Sequence, residues 1–128
     1  MKPPMGADRV QLKRAYEAAA ADDGSRVLID RLWPRGLSRQ AAALDLWLKE
    51  IAPSTELRKW FGHDPARWGE FQRRYAEEVR RHPELFEQLR ELAHKGRLTL
   101  VYAAHDEQHN DAVVLRSLLL DAGPGVQV

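Results

Sequence analysis

Cysteine is absent from the chain, and this one lack removes disulfides, thiolate nucleophiles and cysteine-ligated zinc or iron–sulfur sites together. It suits a reducing compartment, so a cytoplasmic location is expected. Long apolar runs are missing as well. Nothing approaches the roughly 20 apolar residues of a membrane span, and the stretch from Met1 to Val10 has no apolar centre of signal-peptide length, so no membrane partner is expected. Charge of one sign is not in excess either: 20 Lys and Arg stand against 19 Asp and Glu, for a formal net charge of +1. No broad cationic field is left to hold a nucleic acid backbone, and any preference for anions has to be local. Glycine-rich phosphate loops of the dinucleotide or Walker type do not occur, which argues against ATP and dinucleotide cofactors and leaves any cofactor unknown. No nucleophile elbow surrounds Ser25, Ser38, Ser54 or Ser117.

What is present is the composition of a globular protein, 44% hydrophobic and 30% charged over 128 residues. One domain spanning 1–128 is expected, with loose ends at 1–8 and 123–128. Arg9 to Tyr16 alternates like a strand, and Asp22-Asp23-Gly24 turns the chain. Val27-Leu28-Ile29, within Arg26 to Asp30, is a short continuous apolar run of the kind found in a central strand covered on both faces. Leu32 to Leu37 reads as a loop, Ser38 as the N-cap of a short helix through Ala43, and Asp45 to Ile51 as either a third strand or an irregular turn. Ser54 can cap a helix that carries Leu57, Trp60 and Phe61 on one face and ends at Gly62. Asp64-Pro65 starts a longer helix with Trp68, Phe71, Tyr75 and Val79 on its apolar stripe, and Pro83 starts another with Leu85, Phe86, Leu89 and Leu92 inward. Leu98 to Ala103 is a second buried strand, and a last helix runs from Asn110 to Leu120. Strands alternating with helices predict an α/β fold, a single domain whose small, mainly parallel sheet is flanked by helices.

In such a fold, sites lie beyond the carboxyl ends of the strands. That rule collects Arg14 and Tyr16 after the first strand, Asp30, Arg31, Trp33 and Arg35 after the second, and His105, Asp106, His109 and Asn110 after the last. Several guanidinium groups at one edge suit phosphate or carboxylate, since each planar fork donates two parallel hydrogen bonds. Asp106 and His109 have the spacing of an acid/base pair and are the candidate catalytic groups. Ser54, opening its helix, is a further candidate for cradling an anion.

Three segments also carry a family likeness: Arg26 to Gly36 (RVLIDRLWPRG), Ala52 to Phe61 (APSTELRKWF) with His63-Asp64-Pro65, and Tyr102 to Asn110 (YAAHDEQHN) with Ala112 to Leu115. Together they closely resemble the YeaO-like family, catalogued as domain of unknown function 488, over nearly the whole chain. The resemblance implies a small bacterial or archaeal α/β domain and no particular reaction. One departure stands out, since the family pattern leads one to expect arginine where this chain has His105. If that arginine holds an anion, His105 can do so only when protonated.

Each candidate also has a plainer reading. Arg31 or Arg35 can pair with Asp30 or Asp106 and tie two loops together, and Trp33 can plug the edge of the core. Asn110 has an ordinary place as the cap of the last helix. A metal held by Asp106 and His109 would need a third ligand, which His63 could be, and capping by Asp64 already explains that segment. The preferred reading is a pocket for a small anionic metabolite, oriented by Arg31 and Arg35, with catalysis left open. The alternative is a non-catalytic module that contacts protein or nucleic acid through Arg67, Arg73, Arg74, Arg80 and Arg81, against which the interleaved Glu70, Glu77 and Glu78 argue. Nothing in the sequence sets the oligomeric state.

Overall fold

The computed structural model describes residues 6–121. Four strands form one sheet in the order β1-β4-β2-β3, all parallel: β1 (Val10–Arg14), β2 (Ser25–Leu28), β3 (Leu46–Trp47) and β4 (Leu98–Tyr102). The α/β architecture expected from the alternation of elements is therefore present. β4 lies at the centre with all five residues buried, paired to β1 from Val10↔Leu98 to Arg14↔Tyr102 and to β2 from Ser25↔Leu98 to Leu28↔Val101. A strand buried on both faces has no reason to alternate, which is why its sequence reads as a continuous apolar run.

Five α-helices accompany the sheet among the described residues: α1 (Arg39–Ala42), α2 (Thr55–Phe61), α3 (Trp68–Arg80), α4 (Pro83–Lys95) and α5 (Asp111–Asp121). Their starts are capped as the residue types require. Ser38 Oγ accepts from the Ala41 amide at 3.0 Å, Ser54 Oγ from Leu57 at 3.1 Å and Asn110 Oδ1 from Val113 at 3.0 Å. Asp64 caps a 3-10 turn, Pro65–Arg67, that leads into α3. The segment from Asp45 to Ile51 turns out to hold both expected alternatives, the two-residue strand β3 followed by a 3-10 turn at Lys49–Ile51.

Strand positions alternate between two unequal faces. Val27, Leu98, Leu100 and Tyr102 belong to the large core, against Phe61 of α2, Phe71, Tyr75 and Val79 of α3, Leu89 of α4 and Leu115 of α5. Leu28, Val101 and Ala15 face the other way, under a thin cover of Trp33, Leu37, Leu44 and Trp47. Toward the start of the strands this second face is polar. Arg26 Nη1 donates to Asp23 Oδ2 at 2.6 Å, while Lys13 Nζ and Gln11 Nε2 donate to Asp23 Oδ1 at 3.0 and 2.9 Å. The Thr99 hydroxyl donates to the Asp23 carbonyl at 2.6 Å, and Arg26 Nη2 to the Ala42 carbonyl at 2.8 Å. The turn that delivers Asp23 depends on Gly24, whose φ is +67 and where a Cβ would lie 2.1 Å from the Arg97 carbonyl oxygen. Only glycine permits that approach.

Of the ends expected to be loose, residues 1–5 and 123–128 fall outside the described residues. Ala7–Arg9 forms a 3-10 turn whose Ala7 carbonyl accepts from Arg116 Nη2 at 2.9 Å. On α3, Glu77 pairs with Arg73 at 2.8 Å. No helix among the described residues is long and apolar enough to cross a membrane.

Asp23 gives the first prediction. Burial pushes its carboxyl up, but hydrogen bonds from the Ala20 amide, Lys13 and Arg26 outweigh that and hold it at about 2. A folded-state value below the unfolded one means stability that is present above the unfolded value and lost as pH falls through about 2. Asp23→Ala leaves the Arg26 guanidinium buried without its carboxylate, and urea unfolding at neutral pH should show a loss of roughly 3–5 kcal/mol. A loss under about 1 kcal/mol would contradict the network.

Candidate functional site

Because β2 and β4 are parallel neighbours, the segments that follow them leave the sheet side by side. Asp30 joins the two, its Oδ2 accepting from the Ala103 amide at 2.8 Å. Around this junction is a hollow of about 580 Å³ lined from the loop after β2, from α2, and from the loop that leads into α5. Its volume lies within the range of small-molecule sites.

The wall contains Asp30, Arg31, Trp33 and Arg35 from the first loop and His109 and Asn110 from the last, with Tyr16 beyond β1. Arg58, Lys59 and Asp111 also line it, and sequence reasoning did not single them out. His63 lines it as well, although it was considered only as a third metal ligand. No ion pair within 4 Å involves Arg31, Arg35, Arg58 or Lys59 among the described residues, in contrast to Arg26, Arg73 and Arg74. Arg31 is the most confined of the four. Its Nη2 donates to the Ala52 carbonyl at 3.2 Å, and its buried Nε has no acceptor among the described residues. The alternative pairing of Arg31 or Arg35 with Asp30 or Asp106 does not form among the described residues.

Trp33 combines its two readings. Its indole N–H donates to the Leu37 carbonyl at 2.7 Å and its ring packs edge-on to Trp47 with centroids 5.5 Å apart, yet it also lines the hollow. Tyr16 crosses the rim, its hydroxyl donating to the Arg35 carbonyl at 2.9 Å.

Two carboxyl groups lie in the wall. Asp30 and Asp111 lie near enough for each to shift the other's carboxyl. Burial raises both above the usual carboxylate range; Asp111, the Ala103 amide and Arg58 pull Asp30 back, whereas the neighbouring Asp30 drives Asp111 well above it. Of the two, Asp111 is raised the further. Its position at the start of α5 would by itself favour the ionised form, so burial and a like-charged neighbour win over the helix dipole here.

The loop before α5 is organised by Asp106. Its Oδ1 accepts from the Gln108 and His109 amides at 2.9 and 3.1 Å, its Oδ2 lies 2.9 Å from His109 Nδ1, and its carbonyl accepts from Asn110 Nδ2 at 2.8 Å. The Gln108 amide and then the His109 ring hold its carboxyl below the usual value. His109 meets the hollow and Asp106 stands behind it, with the imidazole edge-on to Trp68 at 5.2 Å. No group of three His, Cys, Asp or Glu among the described residues can hold a metal ion, so His63 does not complete a site with Asp106 and His109.

Arg14, His105 and Ser54 stay out of the hollow's wall. Arg14 Nε and Nη2 donate to the Ala104 and Ala103 carbonyls at 2.9 and 3.2 Å, and Nη2 lies 3.4 Å from His105 Nδ1. The pair thereby supports the loop after β4. Ser54 is a correction of a different kind: its hydroxyl donates to Glu78 Oε2 at 2.6 Å and its amide to Glu78 Oε1 at 2.8 Å. A carboxylate of the protein itself occupies the place an anion would take.

With the geometry in hand, relatives give the chain its family. The family model described as "Inactive DUF488-N3 subclade" matches residues 9–124. "Uncharacterized protein YeaO" of Escherichia coli (strain K12) is 44% identical over 110 residues, covering 86% of this chain and 96% of the relative. The chain belongs to the YeaO-like DUF488 family. An uncharacterized protein of Mycobacterium tuberculosis (strain ATCC 25618 / H37Rv) and another of Mycobacterium bovis (strain ATCC BAA-935 / AF2122/97) are each 42% identical over 111 residues, covering 87% of this chain and 93% of theirs. No solved structure matches. All three relatives align over nearly their full length, so this family member is of the same size class as they are.

Ser54 can be tested independently of any ligand. Ser54→Ala removes both the cap of α2 and the Glu78 hydrogen bond, and chemical denaturation should show a loss of about 1–2 kcal/mol. An unchanged midpoint would mean that the hydroxyl is not committed to the fold.

Proposed function

We propose that the hollow binds a small molecule bearing an oxyanion, a phosphate or a carboxylate, and that the protein acts by holding it. The observation that carries this reading is that Arg31, Arg35, Arg58 and Lys59 line one cavity without a carboxylate within 4 Å of any of them among the described residues. Like charges gathered around one concave place repel one another, and an anion relieves that repulsion while accepting from the guanidinium forks. The wall holds two carboxyls, Asp30 and Asp111, against these four cationic groups, so it keeps an excess of positive charge. The buried Arg31 Nε, which lacks an acceptor, adds a donor in want of a partner. Trp33, Phe61 and Phe71 supply apolar wall for the rest of the ligand.

Binding is favoured over turnover by two considerations. The matching family carries the word "Inactive" in its description. Asp106 already has a complete structural task in the turn before α5, so its contact with His109 needs no catalytic explanation. A docking role for α3 has less support, since Arg73 and Arg74 are neutralised by Glu70 and Glu77 on the same helix. The cysteine-free composition is in keeping with work in a reducing cytoplasm, which we take as its location.

The test is calorimetry and thermal unfolding with inorganic phosphate, sulfate, and a panel of phosphorylated and carboxylated metabolites. At least one should raise the melting temperature in proportion to its occupancy. Arg35→Ala, Arg58→Ala and His109→Ala should each weaken that anion about tenfold or more, the worth of a charge-assisted hydrogen bond, with stability changed by no more than about 1 kcal/mol for these partly exposed side chains. Binding that survives all three substitutions, or a melting temperature that collapses in each, would contradict the proposal.

A further inference from the structure

The four cationic side chains of the hollow lack a carboxylate partner, and the two carboxyls of the same wall lack a cation. Asp30 and Asp111 both line the hollow and both are half-buried. Neither has a Lys, Arg or His nitrogen within 4 Å among the described residues, although Arg31, Arg35, Arg58 and Lys59 share the wall with them. Carboxylates committed to the fold look different. Asp23 takes Lys13 and Arg26, Glu78 takes the Ser54 hydroxyl and amide, and Asp106 takes two amides and His109.

The backbone sets the position of each carboxyl and uses only one of its oxygens. The Asp30 carbonyl accepts from the Trp47 indole N–H at 2.7 Å and its Oδ2 from the Ala103 amide at 2.8 Å, which pins the residue just beyond β2. Asp111 Oδ1 accepts from the Ala112 amide at 2.9 Å in the first turn of α5. Asp30 Oδ1 and Asp111 Oδ2 accept no hydrogen bond among the described residues, and neither is sealed from solvent as Arg31 Nε is. A carboxylate kept partly out of water without a counter-charge costs stability. Arg58 acts on Asp30 through space, yet it does not pair with it. The wall thus carries a cationic pole and an acidic pole that the fold keeps apart.

We propose that the ligand of the hollow is bipolar: a small molecule whose oxyanion is held by the arginines and Lys59, and whose other end carries a primary ammonium seated against Asp30 Oδ1 and Asp111 Oδ2. The inference rests on the anion-binding reading and adds the class of ligand. Amino acids and aminated phosphate esters are members of this class. An ammonium brings three N–H donors and a unit positive charge, so it satisfies both free carboxyl oxygens and relieves the repulsion between two acids in one wall. A neutral hydroxyl supplies a donor without the charge, and an apolar end supplies neither. The volume of about 580 Å³ has room for a chain or ring between the poles, and Trp33, Phe61 and Phe71 give that middle part an apolar lining. A metal ion is the less suited occupant, since the described residues contain no group of three His, Cys, Asp or Glu that could hold one.

Matched sets of probes test the proposal. Calorimetry compares alkyl phosphates, from ethyl to hexyl, with the ω-hydroxyalkyl and ω-aminoalkyl phosphates of the same length, in buffer that contains a chelator. At one chain length at least, the aminated member should bind about tenfold or more tighter than both of its counterparts. In Asp111→Asn and Asp30→Asn, which keep an oxygen for the backbone amide, that advantage should vanish, while the plain alkyl phosphate binds as tightly as before or more so. A purely structural role for the two acids would instead weaken every probe alike, and that result overturns the proposal. Should one variant not fold, the other and the comparison on the unsubstituted protein decide. Alkyl phosphates that bind as well as the aminated ones at every length would overturn the bipolar reading and leave the anion site standing. Equal gains from hydroxyl and ammonium would show that charge has no part, and binding that appears only when magnesium replaces the chelator would put a divalent ion at the acidic pole; each of these overturns it too. If no member of the set binds, the anion-binding reading itself fails, and the acidic pole with it.

Discussion

The parallel pairing of β2 with β4 is the constraint from which the candidate site follows. With Leu28 opposite Val101, the chain leaves both strands at one edge, and the Ala103 amide is met by the Asp30 carboxylate. That hydrogen bond turns two separate loop starts into one wall. An antiparallel arrangement of the same strands would send Arg31 and Arg35 to one edge and His109 to the other. β1, added on the far side of β4, brings Tyr16 to the same edge, and Arg14 ties its end to the Ala103 and Ala104 carbonyls.

Polar residues at that edge divide by what the fold already asks of them. Asp106, Asn110, Ser54 and Arg14 each satisfy backbone groups that would otherwise be left without partners at a helix start or loop. Arg35, Arg58 and Lys59 make no such side-chain contribution among the described residues, and Arg31 does so with only part of its guanidinium. The opposite end of the sheet shows what a finished cluster looks like. There Asp23 is surrounded by Lys13, Arg26, Gln11 and the Ala20 amide, and both cations have a carboxylate partner. The contrast between a closed network at one end and unmatched cations around a hollow at the other is the physical ground for calling the second a binding site.

Much of the fold was legible in the sequence for a simple reason: runs such as Val27-Leu28-Ile29 and Leu98 to Tyr102 tolerate no other environment than a doubly covered strand, and Ser38, Ser54, Asp64 and Asn110 announce helix starts through their side chains. β3 was ambiguous because two residues are too few to display a period. The site was legible only where it follows a strand end. Arg58 and Lys59 look like the solvated face of a short helix, and Asp111 looks like an ordinary acid in a first turn. Their meeting with Asp30 depends on how α2 and α5 pack, which no local pattern encodes. Ser54 misled for the opposite reason, since Glu78, the carboxylate that occupies it, lies 24 residues away on α3.

The central claim is that one concave edge of the sheet is an oxyanion site, and amide and side-chain NMR during a phosphate titration tests it most directly. Resonances of residues 30–35, 58–63 and 109–112 should move together along a single binding curve, while those of Lys13, Asp23 and Arg26 stay still. Shifts confined to the arginines of α3, or scattered over the surface without saturation, would contradict the account.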